Sequence, residues 1–343
     1  MARSIPRLNA PGVLPASSKV PTRPGKIGLF RLLGILLLVG GCLAARPKPP
    51  PLAYAPDAFR QALLERVPDL PEILTAPPFL VPEEVLERTR SWVEDAPRGP
   101  ARVEALVRFL SLPQPEGLGL VYDWSATGNA RVTLERGRGN CVSLASVLVG
   151  LGRGLGWPVY YAEARTRNPE EQSFEQVRAL SDHMVVIIAP RSFKSVIDFT
   201  GRLEDVEDLR PIDDLTAYAH IVNNQAAQNL LRVDRGANEE SWSDAANGFR
   251  LATWIQPDLG RSWNNLGIAL TRLGRFDEAR NAYRRAVELD TAFGSAERNL
   301  AVMETRAVGA TTIGNGERET VGTGQPPSDD SQGSRPADRS GSL

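Results

Sequence analysis

Cys141 stands where a glycine-bearing turn, Arg138-Gly139-Asn140, opens directly into the apolar run Val142-Ser143-Leu144-Ala145, which reads as the start of a helix. Backbone N–H groups at a helix N-terminus carry partial positive charge, which favours thiolate over thiol and lowers a cysteine pKa. Two readings follow: a small apolar side chain that fills a core, or an activated nucleophile. The only other cysteine, Cys42, lies in a segment read below as a lipidation signal. Cys141 is then the one thiol of the mature chain, and it has no intrachain disulfide partner.

The residues downstream favour the nucleophile. One of the two histidines, His183, opens the apolar stretch His183-Met184-Val185-Val186-Ile187-Ile188-Ala189, which reads as a buried strand. After a turn over Pro190 to Lys194, Ser195-Val196-Ile197-Asp198-Phe199 reads as a second strand carrying a carboxylate. An antiparallel hairpin centred on Pro190-Arg191 sets His183 opposite residue 198 or 199, so that imidazole and Asp198 carboxylate are cross-strand neighbours. A thiol enzyme requires that arrangement. The histidine takes and returns a proton while the carboxylate fixes its tautomer. Asp182 is the rival carboxylate, but adjacent strand residues point to opposite faces.

Between Tyr122 and Arg202 the sequence resembles the transglutaminase-like superfamily, the papain-related group in which a cysteine begins a helix and later strands bear histidine and aspartate. The resemblance rests on Arg138-Gly139-Asn140-Cys141-Val142-Ser143-Leu144-Ala145, Arg153-Gly154-Leu155-Gly156-Trp157-Pro158-Val159, Asp182-His183-Met184-Val185-Val186 and Val196-Ile197-Asp198-Phe199. It implies Cys141 as nucleophile, His183 as general base and acid, and Asp198 as orienting acid. It also implies Trp124, in Tyr122-Asp123-Trp124-Ser125, as an oxyanion candidate beside the Cys141 backbone N–H. A core tryptophan is the alternative for Trp124. Where many relatives carry an aromatic residue after the histidine, Met184 and Val185 follow here, which leaves the acyl acceptor open.

The N-terminus reads as an export signal. A basic leader from Met1 to Lys26 precedes an apolar stretch from Ile27 to Val39, short for a membrane span. It ends in Leu38-Val39-Gly40-Gly41-Cys42, and small residues directly before a cysteine resemble the bacterial lipoprotein signal. An ordinary signal peptide or an anchor helix is the alternative. Arg46-Pro47-Lys48-Pro49-Pro50-Pro51 then suits an extended tether. The expected location is the bacterial cell envelope, lipid-anchored at the periplasmic face of the outer membrane. The full chain is 42% hydrophobic and 24% charged, ordinary for a protein with real cores. A net charge of −1, with no basic stripe, no CxxC pair and no histidine cluster, argues against nucleic acid, metal and other cofactors.

After the Asp198 strand comes a repeat. Ala245, Phe249, Ala252 and Ile255 recur as Ala279, Tyr283, Ala286 and Leu289, each 34 residues on, and Asn265-Leu266-Gly267 recurs as Asn299-Leu300-Ala301. This is the tetratricopeptide period, in which small residues let paired helices approach closely. Thr291 replaces the proline seen at Pro257, and the first repeat carries an insertion around Arg235 to Glu239. About two and a half repeats are few for an independent solenoid, so they are expected to lean on the catalytic domain or on a partner. His220 reads as a surface or helix-packing residue at the junction.

The expected fold class is α+β: a lipoprotein signal peptide (1–42), a tether (43–56), a transglutaminase-like domain (57–210), an all-α tetratricopeptide domain (211–306) and a disordered tail (307–343). The expected function is thiol-dependent acyl transfer on amide bonds of a protein or peptide substrate, by a protease, amidase or transglutaminase. The repeats would bind a protein partner, and the lipid anchor would bind the membrane. The alternative is a catalytically inactive scaffold that binds peptides or proteins in the envelope. The lipid anchor is tested by mass spectrometry of the membrane fraction, which should find a chain beginning at an acylated Cys42; an unmodified Cys42 would exclude it.

Overall fold

The computed structural model describes residues 51–167, 170–174, 177–181, 183–232, 238–289 and 294–306. Cys42 with the leader, Asp182, Thr291, most of the expected 235–239 insertion and the 307–343 tail lie outside the described residues. Proline punctuates the first third of the chain. Helix α1 (Pro56–Arg66) has proline at its first position, where the missing N–H is no loss, and α3 (Pro100–Ser111) starts the same way. Between them α2 (Glu83–Glu94) is entered from Pro82. These helices bury Phe59, Leu63, Val93, Leu106 and Leu110 in one core.

A short strand β1 (Val121–Tyr122) pairs in parallel with β2 (Arg138–Gly139), and α4 (Ala130–Arg136) connects them. Then comes α5 (Cys141–Gly154), whose residues from Val142 to Gly152 are all buried. A helix apolar all round must be covered all round. A four-stranded antiparallel sheet covers one side. Its strands are β3 (Val159–Thr166), β6 (His183–Ile188), β7 (Ser195–Ile197) and β8 (Val206–Ile212), in the spatial order β7-β6-β3-β8. Strands β4 (Glu170–Phe174) and β5 (Val177–Ser181) form a separate hairpin between β3 and β6. Val159, Tyr161, Val186, Ile188 and Ile197 join the α5 core, whereas Ala162, Ala164, Val185 and Ile187 cluster on the opposite face. That alternation is the two-residue period of a strand.

The β6–β7 register differs from the sequence expectation. Val186 pairs with Ile197 and Ile188 with Ser195, so the hairpin centres between Arg191 and Ser192, one residue later than expected. Continued outward, this register sets His183 opposite Thr200. Asp198 lies just past the end of β7 and reaches the imidazole diagonally.

Helix α6 (Asp214–Arg232) belongs to both halves of the molecule. Leu215, Ala217, Tyr218, Ala219, Ile221 and Val222 enter the α5 core, while Ala226 enters the core of the repeat helices. Those helices are α7 (Glu239–Ile255), α8 (Gly260–Arg272), α9 (Phe276–Leu289) and α10 (295–306). The expected boundary at 210/211 is therefore corrected: it would cut β8, which runs to Ile212, and Ala252, Ile255 and Leu259 from the repeats also pack into the first core. The tether boundary moves too, since Tyr54 N–H donates to Asp214 Oδ2 at 2.9 Å and so belongs to the folded body. Within the repeats, a Cβ on Gly267 would meet the Tyr283 ring at 2.6 Å, which explains the small residue at that position.

The strongest polar tie in this frame joins α5 to α6. Arg153 donates both terminal nitrogens to Asp214, at 2.7 and 2.8 Å, and its Nε to the Val159 carbonyl at 3.0 Å. Its guanidinium also lies 4.8 Å over the Phe79 ring. Burial pushes the Asp214 carboxyl up, with Arg153 opposing that shift. Removing one partner of a buried pair leaves an uncompensated charge, so Arg153→Met should cost about 3–5 kcal/mol in urea unfolding. A loss under about 1 kcal/mol, the scale of an exposed pair, would show that the tie contributes little.

Candidate active site

The nucleophile is placed by a capped helix start. Asn140 is the N-cap of α5: its Oδ1 accepts the Ser143 N–H at 3.2 Å and the Ser143 hydroxyl at 2.9 Å. Asparagine favours this position because its side chain satisfies an N–H that the helix cannot. Gly139 is required by close approach, since a Cβ there would meet the Ser143 Cβ at 2.6 Å. The loop from Asp123 to Asn129 wraps this helix start. Asp123 N–H donates to Gly139 O at 3.0 Å, Asn140 N–H to Ala126 O at 2.8 Å and Gly128 N–H to Ser143 Oγ at 2.9 Å.

Cys141 is half-buried, and the groups that act on its thiol are His183 and the backbone N–H groups of Met184 and Val142. Burial alone would push the thiol up. The hydrogen bond and charge of His183, helped by the two N–H groups, outweigh burial and hold it below the ordinary cysteine value. His183 Nε2 lies 2.5 Å from Asp198 Oδ1 and 3.0 Å from Thr200 Oγ1. With Nε2 so engaged, Nδ1 is the nitrogen that serves the sulfur. Burial works to lower the imidazole pKa, but its hydrogen bonds to Asp198 and Cys141 and their negative charges raise it to about 10.

Asp198 is 4% exposed, so its charge must be met inside the protein. It is met fully. Oδ1 accepts from His183, from Thr200 N–H at 2.8 Å and from the Thr200 hydroxyl at 2.9 Å, while Oδ2 accepts Arg202 N–H at 2.6 Å. Burial raises the carboxyl, yet His183 and these N–H donors leave it below its usual value. The structure thus brings Cys141, His183 and Asp198 together, with His183 hydrogen-bonded to Asp198 and acting on the Cys141 thiol.

Trp124 is carried on the loop that wraps the helix start, and the residue is 54% exposed. The core-tryptophan reading is therefore corrected. As the first residue of α5, Cys141 has a backbone N–H without an intrahelical acceptor, the other oxyanion donor expected. His220 is not a surface residue: it is 4% exposed, and its Nε2 lies 2.8 Å from Glu163 Oε1. Burial raises the Glu163 carboxyl, but His220 and Arg210 together hold it down at about 2. Sequence reasoning missed Thr200 and Asn140. The Asp198-Phe199-Thr200 turn and the Asn140…Ser143 spacing are the signals that point to them. Among the described residues no three His, Cys, Asp or Glu side chains gather as metal ligands.

Residues 120–192 match the model of the transglutaminase-like superfamily, which spans Cys141 and His183, and residues 260–291 match that of the tetratricopeptide repeat. The protein thus joins a transglutaminase-like, papain-related α+β domain to a C-terminal helical-repeat domain. The chain is also similar to the peroxisomal targeting signal receptor of Eremothecium gossypii, at 41% identity over 66 residues, which is 19% of this chain and 11% of that protein.

The geometry sets a pH expectation. Between the lowered Cys141 value and about 10 for His183, the site should be a thiolate–imidazolium pair; acid should remove the thiolate, and base above about 10 the imidazolium proton. Iodoacetamide should alkylate Cys141 with a midpoint well below the ~8.5 of a free cysteine. His183→Ala should raise that midpoint towards the free value, and an unmoved midpoint would contradict the pairing.

Proposed function

We propose that the protein is a thiol-dependent acyl-transfer enzyme acting on amide bonds of a protein or peptide. The observation that carries this reading is the hydrogen-bonded line Cys141–His183–Asp198, with the sulfur as thiolate and the buried carboxylate fully satisfied. A core-filling cysteine needs no imidazole at its sulfur and no carboxylate behind the imidazole.

The chemistry runs in two halves. The Cys141 thiolate attacks the amide carbonyl carbon, and the Cys141 backbone N–H and Trp124 face the oxyanion that develops. His183 protonates the leaving amine as the C–N bond breaks, leaving a thioester. Two of the causes that raise the His183 pKa are the hydrogen bond and charge of Cys141. Acylation consumes that charge, so the imidazolium becomes a stronger acid at the moment the amine needs its proton. The neutral imidazole then takes a proton from water or from an amine, which attacks the thioester and releases Cys141 as thiolate. Asp198 keeps Nδ1 turned to the reacting atoms throughout, the orienting role such carboxylates play.

The repeat domain supports a protein partner, which the likeness to a targeting-signal receptor also favours. Anchoring through Cys42 at the periplasmic face of the outer membrane rests on the Gly40-Gly41-Cys42 segment. Among the described residues no helix is long and apolar enough to cross a membrane.

Incubation of the purified chain with a peptide library and hydroxylamine should give hydroxamates by thioester interception, detected by mass spectrometry. Cys141→Ala should abolish them, and Asp198→Asn should slow them by roughly 10⁴-fold, the loss seen when an imidazole is held in the wrong tautomer. Replacing hydroxylamine by water or lysine then separates hydrolysis from cross-linking. Hydroxamate formation unaffected by Cys141→Ala would overturn the reading, and a site that alkylates normally yet never acylates would favour the scaffold.

A further inference from the structure

Helix α6 reaches from the repeat core to the nucleophile through one side chain. Gln228 is 7% exposed, and its Oε1 accepts the buried Thr127 N–H at 2.9 Å while its Nε2 donates to the Trp124 carbonyl at 3.3 Å. The Thr127 hydroxyl accepts from Asn140 Nδ2 at 2.8 Å. Asn140 is the cap whose Oδ1 holds the Ser143 N–H and hydroxyl, and Cys141 follows it directly. Three hydrogen-bonded links therefore join α6 to the helix start: Gln228 to Thr127, Thr127 to Asn140, and Asn140 to Ser143 in the first turn of α5. Thr127, Asn140, Ser143 and Gln228 are all buried, and a buried amide or N–H deprived of its partner is costly, which keeps such a line intact.

Two residues earlier on the same helix, Ala226 packs against α7, where a Cβ on Gly248 would meet the Ala226 Cβ at 2.7 Å. Helix α6 is thus fixed on one side by the repeats and on the other by the loop that wraps the active cysteine.

We infer that Gln228 is a positioning residue: it locks the 123–129 loop and the Asn140 cap so that the first turn of α5 holds the Val142 N–H on the Cys141 sulfur. This rests on the nucleophile reading of Cys141. Without the lock, Thr127 is no longer held where its hydroxyl orients the cap's amide, and the Val142 N–H no longer meets the sulfur squarely. The thiolate then loses part of its stabilisation, although Cys141, His183 and Asp198 are all present. The repeat helices are in this way a working part of the site.

The test is the pH profile of Cys141 alkylation in the full chain for wild type, Gln228→Ala and Gln228→Glu, beside thermal melts. Glutamate keeps an oxygen for the Thr127 N–H and loses only the donor to the Trp124 carbonyl, whereas alanine removes both contacts. Gln228→Ala should raise the midpoint by about half a unit or more, a three-fold fall in the thiolate-to-thiol ratio at a given pH. Gln228→Glu should restore most of it. A melt lowered in Gln228→Ala with the midpoint unchanged assigns Gln228 to stability alone and overturns the inference. If Gln228→Ala fails to fold, a Gln228→Glu midpoint shifted as far as that of His183→Ala also overturns it, while one within a few tenths of wild type supports it. A wild-type midpoint at the free-thiol value would remove the nucleophile reading itself, and the inference with it.

Discussion

The contact between His183 and Asp198 is the interaction on which the rest of the site depends. At 2.5 Å it lets a carboxylate only 4% exposed remain charged, and that charge in turn holds the imidazole protonated against burial. The imidazolium then pulls the Cys141 thiol down against its own burial. Each group is costly to bury alone, and each is stabilised by the next. The line runs without a break from the N–H groups of Thr200 and Arg202 to the sulfur.

The fold can be understood as what keeps that line in place. Helix α5 is buried from Val142 to Gly152, so its cysteine end cannot move without repacking the core. Strand β6 lies against it and carries His183 at its first position, and the β6–β7 hairpin returns Asp198 to the same end. Arg153 and Asp214 fasten the other end of α5 to α6. Because α6 contributes to both cores, the repeat helices and the layer of α5 and its sheet share one rigid element.

Much of this was legible in the residues, and the exceptions have physical causes. The helix start at Cys141, the strand at His183 and the repeat positions Ala245, Phe249, Ala279 and Tyr283 follow from local periodicity, and all four repeat side chains are buried. The hairpin register was misjudged by one residue because turn residues Pro190 to Lys194 do not specify where the ladder begins. Asp198 still meets His183, since a carboxylate just past a strand end can turn back across the pairing. The boundary near residue 210 was misplaced because α6 is amphipathic towards two cores, and hydrophobic pattern along one helix does not say which core each stripe enters. The Gln228–Thr127 contact spans about a hundred residues of chain and carries no local pattern at all.

The central claim is that His183 is an imidazolium beside a thiolate at neutral pH. With two histidines in the chain, nitrogen-15 NMR of the imidazole rings reads this directly, and His220→Gln identifies the second signal. His183 should show both ring nitrogens protonated at pH 7 and titrate near 10, and Cys141→Ala should bring that titration down by removing the sulfur's charge and hydrogen bond. A His183 ring that is neutral at pH 7, titrates near ~6.5 and ignores Cys141→Ala would contradict the account.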